Sequence, residues 1–528
     1  MDRMDAVNTQ RTLAALVSAA ATHYGDATAI MAEDGTRHSF IGLKAEVRRA
    51  ARAFLADGVG KGDRIAIWAP NSVEWIVAAT ALQMVGAVLV PLNTRFKGPE
   101  ATYILQKTRP RLLLTVGIFL GNDYPAMIGR GLGANEPSSP AIVLLDDSTR
   151  SRHIGWRDFL GAGARVDDAE LDARIAGIRR EDTGDILFTS GTTGAPKGAM
   201  HSQGQHLWMV DIWNRANDLR PGDRQLVINP FFHSFGYRAG WVSGLMAGMA
   251  TWPIAVFDPI QCMALIARER ITVLMGSPTL FFAILDHPRR DAFDLSSLRV
   301  AHTGSSNVPV ELIRRLHEEL GFDLVLTSFG QTEATALISA NAPDANFETI
   351  AGTVGRPIPG VEVRIAPENG EVLVRGPNVM QGYFQDPQAT AEIIDHEGWL
   401  HTGDVGLLDE NGNLRILDRI KDVVIVGGFN AYPAEIENTL LAHPAILEVA
   451  IIGMPDERMG EVCAAAVVPK PGQTLTLDEL AAWSRERLAN YKVPRHLLLL
   501  DALPRTALGK SQKFMLREQF RALSGGVR

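Results

Sequence analysis

The sequence predicts an α/β protein, with a large N-terminal domain of layered αβ sheets, a small β subdomain and a C-terminal α+β domain. Three observations predict it. Short apolar runs alternate with helix-like stretches over roughly the first 340 residues, the pattern of parallel strands joined by crossover helices. From about residue 350 the chain switches to short alternating strands separated by Glu-Asn-Gly and Asn-Gly-Asn turns. Beyond 420 it packs strands and helices into a block of about 105 residues, the size of one further domain. The expected organisation is an N-terminal core over 1–417 with its β subdomain at 350–417, a connector at 418–422 and a C-terminal domain at 423–528.

Each element has its own signal. Residues 11–17 begin an amphipathic helix, too short and too Ala-rich for a secretory leader. Helices are expected over 42–55 and 100–107, and strands over 64–68, 87–90, 111–115 and 141–145. Residues 75–92 carry no charge over eighteen positions, the length of a membrane span. Gln83 and Gly86 interrupt that run and Pro91 ends it, so a buried helix at 72–85, a turn at Gly86 and a buried strand are expected instead. The same rhythm recurs at 242–257. Residues 120–180 are polar and irregular and predict little. Strands at 225–229, 271–275, 298–302 and 324–327 all end in Gly, Ser or Thr loops. Ligands of open α/β sheets sit beyond such carboxyl ends, so one cleft fed by these loops is expected. In the last block, strands are expected at 423–426, 447–452, 462–468 and 497–501, with helices at 433–442 and 476–488.

Composition narrows the class of function. With 46% apolar and 21% charged residues the chain is globular. A net charge of −8 argues against a nucleic-acid partner or an anionic membrane surface. The two cysteines, Cys262 and Cys463, have no ligand-spaced partners, which fits a reducing cytoplasm and no zinc site.

The most informative stretch is Thr189-Ser190-Gly191-Thr192-Thr193-Gly194-Ala195-Pro196-Lys197-Gly198, directly after the apolar run Asp185-Ile-Leu-Phe. Glycines let backbone N–H groups converge, hydroxyls add donors and Lys197 adds positive charge, which is the chemistry of a phosphate cradle. It is not the usual P-loop, which would need glycine at 196 and Ser or Thr at 198. Glu333, in Phe329-Gly330-Gln331-Thr332-Glu333, suits Mg²⁺ bridging phosphate oxygens, or a solvated helix-start charge. Asp404, after Thr402-Gly403, suits two vicinal hydroxyls or an ordinary turn. His233, in Phe231-Phe-His-Ser-Phe-Gly236, suits either the cleft or a structural role.

Taken as an ordered set these motifs, with D-R-I-K-D at 418–422, G-G-F-N-A-Y-P-A-E-I-E at 427–437 and P-R-T-A-L-G-K at 504–510, resemble the adenylate-forming superfamily over about residues 20–515. That group comprises acyl-CoA synthetases, peptide-synthetase adenylation domains and firefly-type luciferases. Within it the chain is most similar to bacterial fatty-acyl-CoA synthetase-like ligases, above all actinobacterial ones acting on steroid ring-degradation acids, a likeness carried by 228–233 and 293–298. The resemblance implies two half-reactions: carboxylate and ATP give an acyl-adenylate and pyrophosphate, then coenzyme A takes the acyl group. It implies that 189–197 hold the β- and γ-phosphates, and that Thr192 and Glu333 attend Mg²⁺. Gly304, Ser305 and Ser306 with Phe329, Gly330, Gln331 and Thr332 would line the adenine and acyl pocket. Asp404 would bind the ribose, with Arg419 beside it, and Lys510 would reach the α-phosphate from a mobile C-terminal domain. Lys421 would be the hinge pivot, where many relatives have aspartate, and Gly427, Gly428 and Phe429 would line the coenzyme A tunnel.

The acyl pocket would draw on His233, Tyr237, Gly240, Ser277, Thr303, Gly304 and Leu337, a mixture that suits a bulky polycyclic acid. Medium-chain or aryl acids are the runners-up. An enzyme loading an external carrier protein is a second reading, weakened because Phe232-His233-Ser234 has no acid for an α-amino group. A luciferase-like oxygenase or a non-catalytic adenylate-binding module is a third; the module should have lost Lys510 or Glu333, and both are present. A homodimer is an open expectation.

Overall fold

The computed structural model describes residues 12–132, 140–147, 153–189, 195–304, 308–505 and 511–524. Among these, two large sheets dominate. In the first, Thr28–Met31, Ala250–Pro253, Arg224–Val227, Val273–Gly276, Val300–Thr303 and Leu324–Phe329 run parallel in that spatial order. Arg37–Ser39 adds an antiparallel edge, and Ser339–Ala340 and Arg356–Pro357 close the other side. In the second, Thr183–Thr189, Val88–Pro91, Arg64–Trp68, Leu112–Thr115, Ala141–Leu144 and Ile154–Gly155 are parallel, while Lys197–Ser202 and Gly382–Tyr383 extend it antiparallel.

Strand periodicity decides how the layers stack. Successive side chains point to opposite faces. Thus Ile65 and Ile67 enter a central core and Ala66 and Trp68 an outer one. Likewise Val273 and Met275 face the central core and Leu274 the far side. The central core lies between the two sheets and holds helices Leu13–Tyr24, Phe40–Ala56, Val73–Met84 and Gln203–Ala216. Val73–Met84 is buried on nearly every side, which is why its sequence is apolar all round. It ends at Gly86, at φ 81°, where a Cβ would stand 2.5 Å from Ile178 Cδ1. No helix among the described residues is long and apolar enough to cross a membrane.

Residues 120–180, unreadable in sequence, form helices Tyr124–Leu132, Trp156–Ala162 and Asp168–Ala176 around the short strand Ala141–Leu144. Tyr124, Met127 and Ile128 are buried at helical spacing in the first, and Trp156 and Phe159 in the second, but these stripes are short and separated by polar stretches. A four-stranded antiparallel sheet follows: Glu362–Ile365, Glu371–Arg375, Leu400–Leu408 and Leu414–Arg419. The last block is a mixed sheet centred on the long hairpin Ile446–Asp456 and Gly460–Pro469. One core buries helices Pro433–Leu441 and Leu477–Arg485 on one face, and another buries Lys513–Ser524 on the other.

Candidate active site

A cavity of about 2660 Å³ opens where the carboxyl ends of the first sheet meet the second sheet, the small antiparallel sheet and the C-terminal block. That volume exceeds the usual range for one ligand, about 300–1,000 Å³. It has room for several substrates at once.

The phosphate-loop hairpin reaches it through Thr189 and Lys197, which are register partners at the mouth of strands Thr183–Thr189 and Lys197–Ser202. Ser190, Gly191, Thr192 and Thr193 lie outside the described residues, as do Ser305, Ser306 and Lys510. Phe329, Gly330, Gln331, Thr332 and Glu333 all line the cavity, as does Gly304. The loop carrying Glu333 is wound tightly. Thr335 and Ala336 are both left-handed, at φ 52° and 75°, and a Cβ on Gly330 would stand 2.0 Å from the Ala336 carbonyl oxygen. A β-branched residue at positive φ stores strain that the surroundings must hold.

A residue that belongs to none of the motifs, Tyr383, completes this side. It donates its hydroxyl to Glu333 Oε1 at 2.8 Å, and Lys197 Nζ lies 5.3 Å from the centre of its ring. The phenol therefore spaces a carboxylate and an ammonium. Burial and the Glu333 charge push its pKa far up, so it stays a donor. Its position beside Gly382 and Phe384 is the signal, since Tyr383 pairs with Ala199 on the phosphate hairpin.

Asp404 and Arg419 are ladder partners on adjacent strands, and Arg419 Nε donates to Asp404 Oδ1 at 2.7 Å. Asp404 is buried and Arg419 half-exposed, and both face the cavity. Gly403, at φ 70°, turns the strand there, and its N–H donates to Glu371 Oε1 at 2.9 Å. Lys421 lines the cavity from the short turn Ile420–Asp422. Burial pushes its pKa down, opposed by Asp422 and Asp404. Asp418 is the knot of this segment: its Oδ2 accepts from Ala434 N at 2.8 Å, capping helix Pro433–Leu441. Arg517 donates to Asp422 at 3.1 Å and Lys513 to Glu437 at 2.9 Å.

The sequence-predicted acyl pocket is only partly assembled here. His233 and Gly304 reach the cavity; Tyr237, Gly240, Ser277, Thr303 and Leu337 do not. Tyr237 turns inward and accepts from Gln83 Nε2 at 2.8 Å. Gly240 packs against Val227, where a Cβ would stand 2.9 Å from Cγ1. Thr303 and Leu337 are buried, and Ser277 precedes helix Pro278–Leu285 with its hydroxyl 2.8 Å from Thr279 Oγ1. The wall is instead made by Met209 and Trp213 of helix Gln203–Ala216, with Phe232, Phe235, Ala239 and His302. His302 stacks against Trp213 at 4.3 Å, and its nitrogens meet Asn217 Oδ1 at 2.6 Å and Ser328 Oγ at 2.9 Å. Burial pushes its pKa down to about 3, so this wall is polar but uncharged. Gly427, Gly428 and Phe429 lie away from the cavity, with Phe429 exposed and stacked on Tyr491 at 5.2 Å.

Beneath the wall lies a dry charge cluster. Asp185 accepts from Arg238 Nη2 at 2.9 and 3.0 Å and meets His206 Nε2 at 2.8 Å and His201 Nδ1 at 2.9 Å. All four side chains are fully or almost fully buried. The Arg238 charge and the histidine contacts outweigh desolvation and hold Asp185 well below the usual carboxylate range; burial lowers His206 to about 4. An acid inside an apolar strand, ahead of the phosphate loop, is the sequence signal that marks it.

Comparison with known proteins agrees with this geometry. Residues 17–384 match the family model described as AMP-binding enzyme, and 435–510 match the AMP-binding enzyme C-terminal domain. The chain is 46% identical over 502 residues to a 3-[(3aS,4S,7aS)-7a-methyl-1,5-dioxo-octahydro-1H-inden-4-yl]propanoyl:CoA ligase of Rhodococcus jostii, covering 95% of this chain and 97% of that protein. It is 45% identical over 519 residues to a ligase of the same description from Mycobacterium tuberculosis, covering 97% and 99%. Among solved structures, the anthranilate CoA ligase AuaEII in complex with anthranoyl-AMP superposes with a TM-score of 0.86 at 25% identity, over 98% of this chain and 99% of that one.

Proposed function

The chain belongs to the AMP-binding enzyme family, and we propose that it joins a bulky alicyclic carboxylic acid to coenzyme A. It is an AMP-forming acid:CoA ligase: ATP activates the carboxylate as an acyl-adenylate, and the thiol of coenzyme A then displaces AMP. The observation that carries the acid class is the identity, along nearly the whole chain, with two ligases of one bicyclic dioxo-propanoyl acid. The wide, uncharged wall of Trp213, Met209, Phe235 and His302 supports it, because fused rings need breadth rather than a narrow channel.

The residue roles follow from charge. A carboxylate attacking the α-phosphate brings two anions together, so fixed cations and donors lower the barrier. Lys197 and Thr189 would hold the departing pyrophosphate, together with 190–194. Asp404 suits the ribose hydroxyls, with its contact to Arg419 orienting the carboxylate. Lys510 supplies the mobile cation at the α-phosphate. Mg²⁺ fits the donor set: one cavity-facing carboxylate, Glu333, whose Oε1 is oriented by Tyr383, matches an ion held by one or two carboxylates plus substrate phosphates. Glu333 and Thr192 would hold it, and when bound it supplies charge neutralisation at the phosphate oxygens. His233 orients the acyl carboxylate at the rim.

Rotation of 423–528 about 418–422, with Lys421 as pivot, would bring Gly427, Gly428 and Phe429 to the cleft for the pantetheine arm. Their distance from the cavity in this arrangement is what an adenylation-side conformation requires. Two buried, unpaired thiols, Cys262 and Cys463, suit a cytoplasmic enzyme, and its assembly, monomer or homodimer, is read by light scattering. The test of substrate class is a panel of carboxylic acids with ATP and coenzyme A, following AMP and thioester. Bicyclic and other alicyclic propanoates are expected to turn over best. Activity confined to linear fatty acids would sink the alicyclic reading.

A further inference from the structure

The Asp185 cluster touches four segments that line the cavity, and none of its members lines the cavity itself. Asp185 and His201 are register partners on the two strands that carry Thr189 and Lys197. His206 sits on the helix that presents Met209 and Trp213. Arg238 stands two residues beyond the 231–236 motif. The fourth tie is the most specific. His201 Nε2 lies 2.7 Å from the carbonyl oxygen of Thr332, the residue before Glu333.

That tie falls where it is most needed. The Glu333 loop holds two consecutive left-handed residues, and such a backbone persists only where its surroundings over-determine it. On its far side the loop is pinned by Thr335 Oγ1 donating to Asn378 O at 2.6 Å, Asn378 Nδ2 donating to Leu337 O at 2.9 Å, and Met380 N donating to Glu333 O at 2.9 Å. On the side facing the phosphate hairpin, Tyr383 holds the Glu333 side chain and the His201 ring meets the loop backbone at the Thr332 carbonyl. Both ring nitrogens meet acceptors, the Asp185 carboxylate at Nδ1 and the Thr332 carbonyl at Nε2, so the ring donates to both only as an imidazolium; burial and Arg238 push its pKa down, while Asp185 and the Thr332 carbonyl favour the second proton and fix the ring plane.

We propose that His201, oriented by Asp185, is a positioning residue for the adenylation half-reaction: it sets the distance between the phosphate hairpin and the Glu333 carboxylate through the Thr332 carbonyl. The inference rests on the reading of Glu333 as the metal-facing carboxylate. It predicts that losing the tie lets Glu333 drift relative to Lys197 and the pyrophosphate, and a misplacement of about 1 Å costs on the order of 10²-fold. Thioester formation from ready-made acyl-adenylate handles no pyrophosphate, so it should be spared.

The test pairs two amides. His201→Asn is too short to reach Thr332; His201→Gln can still donate to it. His201→Asn is expected to slow adenylation by about 10- to 100-fold and to weaken binding of Mn²⁺ with ATP, read by electron paramagnetic resonance, by about tenfold. Thioester formation from supplied acyl-adenylate should stay within about twofold. His201→Gln should recover most of the adenylation rate and the Mn²⁺ binding. Equal losses in both half-reactions with unchanged Mn²⁺ binding, or a Gln variant no better than Asn, overturns the proposal. If the Asn variant does not fold, His201→Met, which keeps bulk without a donor, takes its place under the same criteria. Glu333→Gln is run beside them. Unchanged Mn²⁺ binding there sinks the metal reading and this proposal with it; weakened binding there with His201→Asn intact sinks this proposal alone.

Discussion

Two sets of acid–base pairs frame the site, and they differ in one respect, water. The Asp185 cluster is dry. It joins strand, helix and loop with short contacts on a carboxylate that has no exposed surface. The connector pairs are wet or half-wet: Arg517 with Asp422 and Arg419 with Asp404 each keep some exposure on at least one partner. Buried pairs are costly to break because the survivor is left uncompensated, whereas exposed pairs exchange with water at small cost. Pairs of the first kind suit the half of the site that stays put. Pairs of the second kind suit the half expected to swing.

The contrast is broken most severely at Asp185. Asp185→Asn leaves Arg238 buried without its counter-charge, and a loss of about 3–5 kcal/mol is expected in denaturant unfolding. A loss below about 1 kcal/mol would mean the cluster is hydrated and the contrast false. Next comes Lys510→Ala, which should cut adenylation by about 10²–10³, the cost of one fixed donor at developing charge, and leave thioester formation from acyl-adenylate intact. Equal loss in both steps would remove the division of labour.

Acid sharpens the comparison further. His206 is held neutral in the fold, with its pKa lowered to about 4, while the unfolded chain binds a proton near 6.5. Between those values the unfolded state carries more protons, so stability rises with pH in that window. It is complete above about 6.5 and lost as pH falls towards 4, at about 1.4 kcal/mol per unit. Denaturant midpoints between pH 6.5 and 5 read this slope together with the equal share of His302, and His206→Gln should remove about 1.4 kcal/mol per unit while the His302 share remains. The smallest effect belongs to the connector. Arg517→Ala should change stability by no more than about 1 kcal/mol. A large loss would mean that the connector pairs are locked rather than exchangeable.

Much of this was legible in the sequence where chemistry and periodicity coincide. Strands such as 64–68 and 273–276 announce themselves because each residue type serves one face, and Gly86 because only glycine turns there without meeting Ile178. Asp404 and Arg419 were legible as motif members, and the ladder explains why they meet. The acyl wall was not. Tyr237 has the composition of a pocket residue, but its direction depends on Gln83, a partner more than a hundred positions away. His201 and Arg238 escape notice for the same reason: a single histidine or arginine carries no spacing signal, and their meaning arises only where Asp185 gathers them. Helices within 120–180 are short, so a stripe such as Tyr124, Met127 and Ile128 spans barely one turn and is easily overlooked.

The first sheet is closed by a strand from far upstream, with Ile30 pairing to Thr251. During synthesis the upstream strand leaves the ribosome about 220 residues before its parallel neighbour exists, with only the hairpin strand Arg37–Ser39 beside it. At 5–20 residues per second that is a wait of about 10–40 s. Helix Leu13–Tyr24 can pack early on Phe40–Ala56 and Val73–Met84, but it waits for Ser243–Ala247, where Tyr24 Oη donates to Met246 O at 2.9 Å. The chain's exposure to aggregation in the cell is therefore set by translation speed across residues 40–250, and slowing codons there should lower soluble yield without altering the finished enzyme.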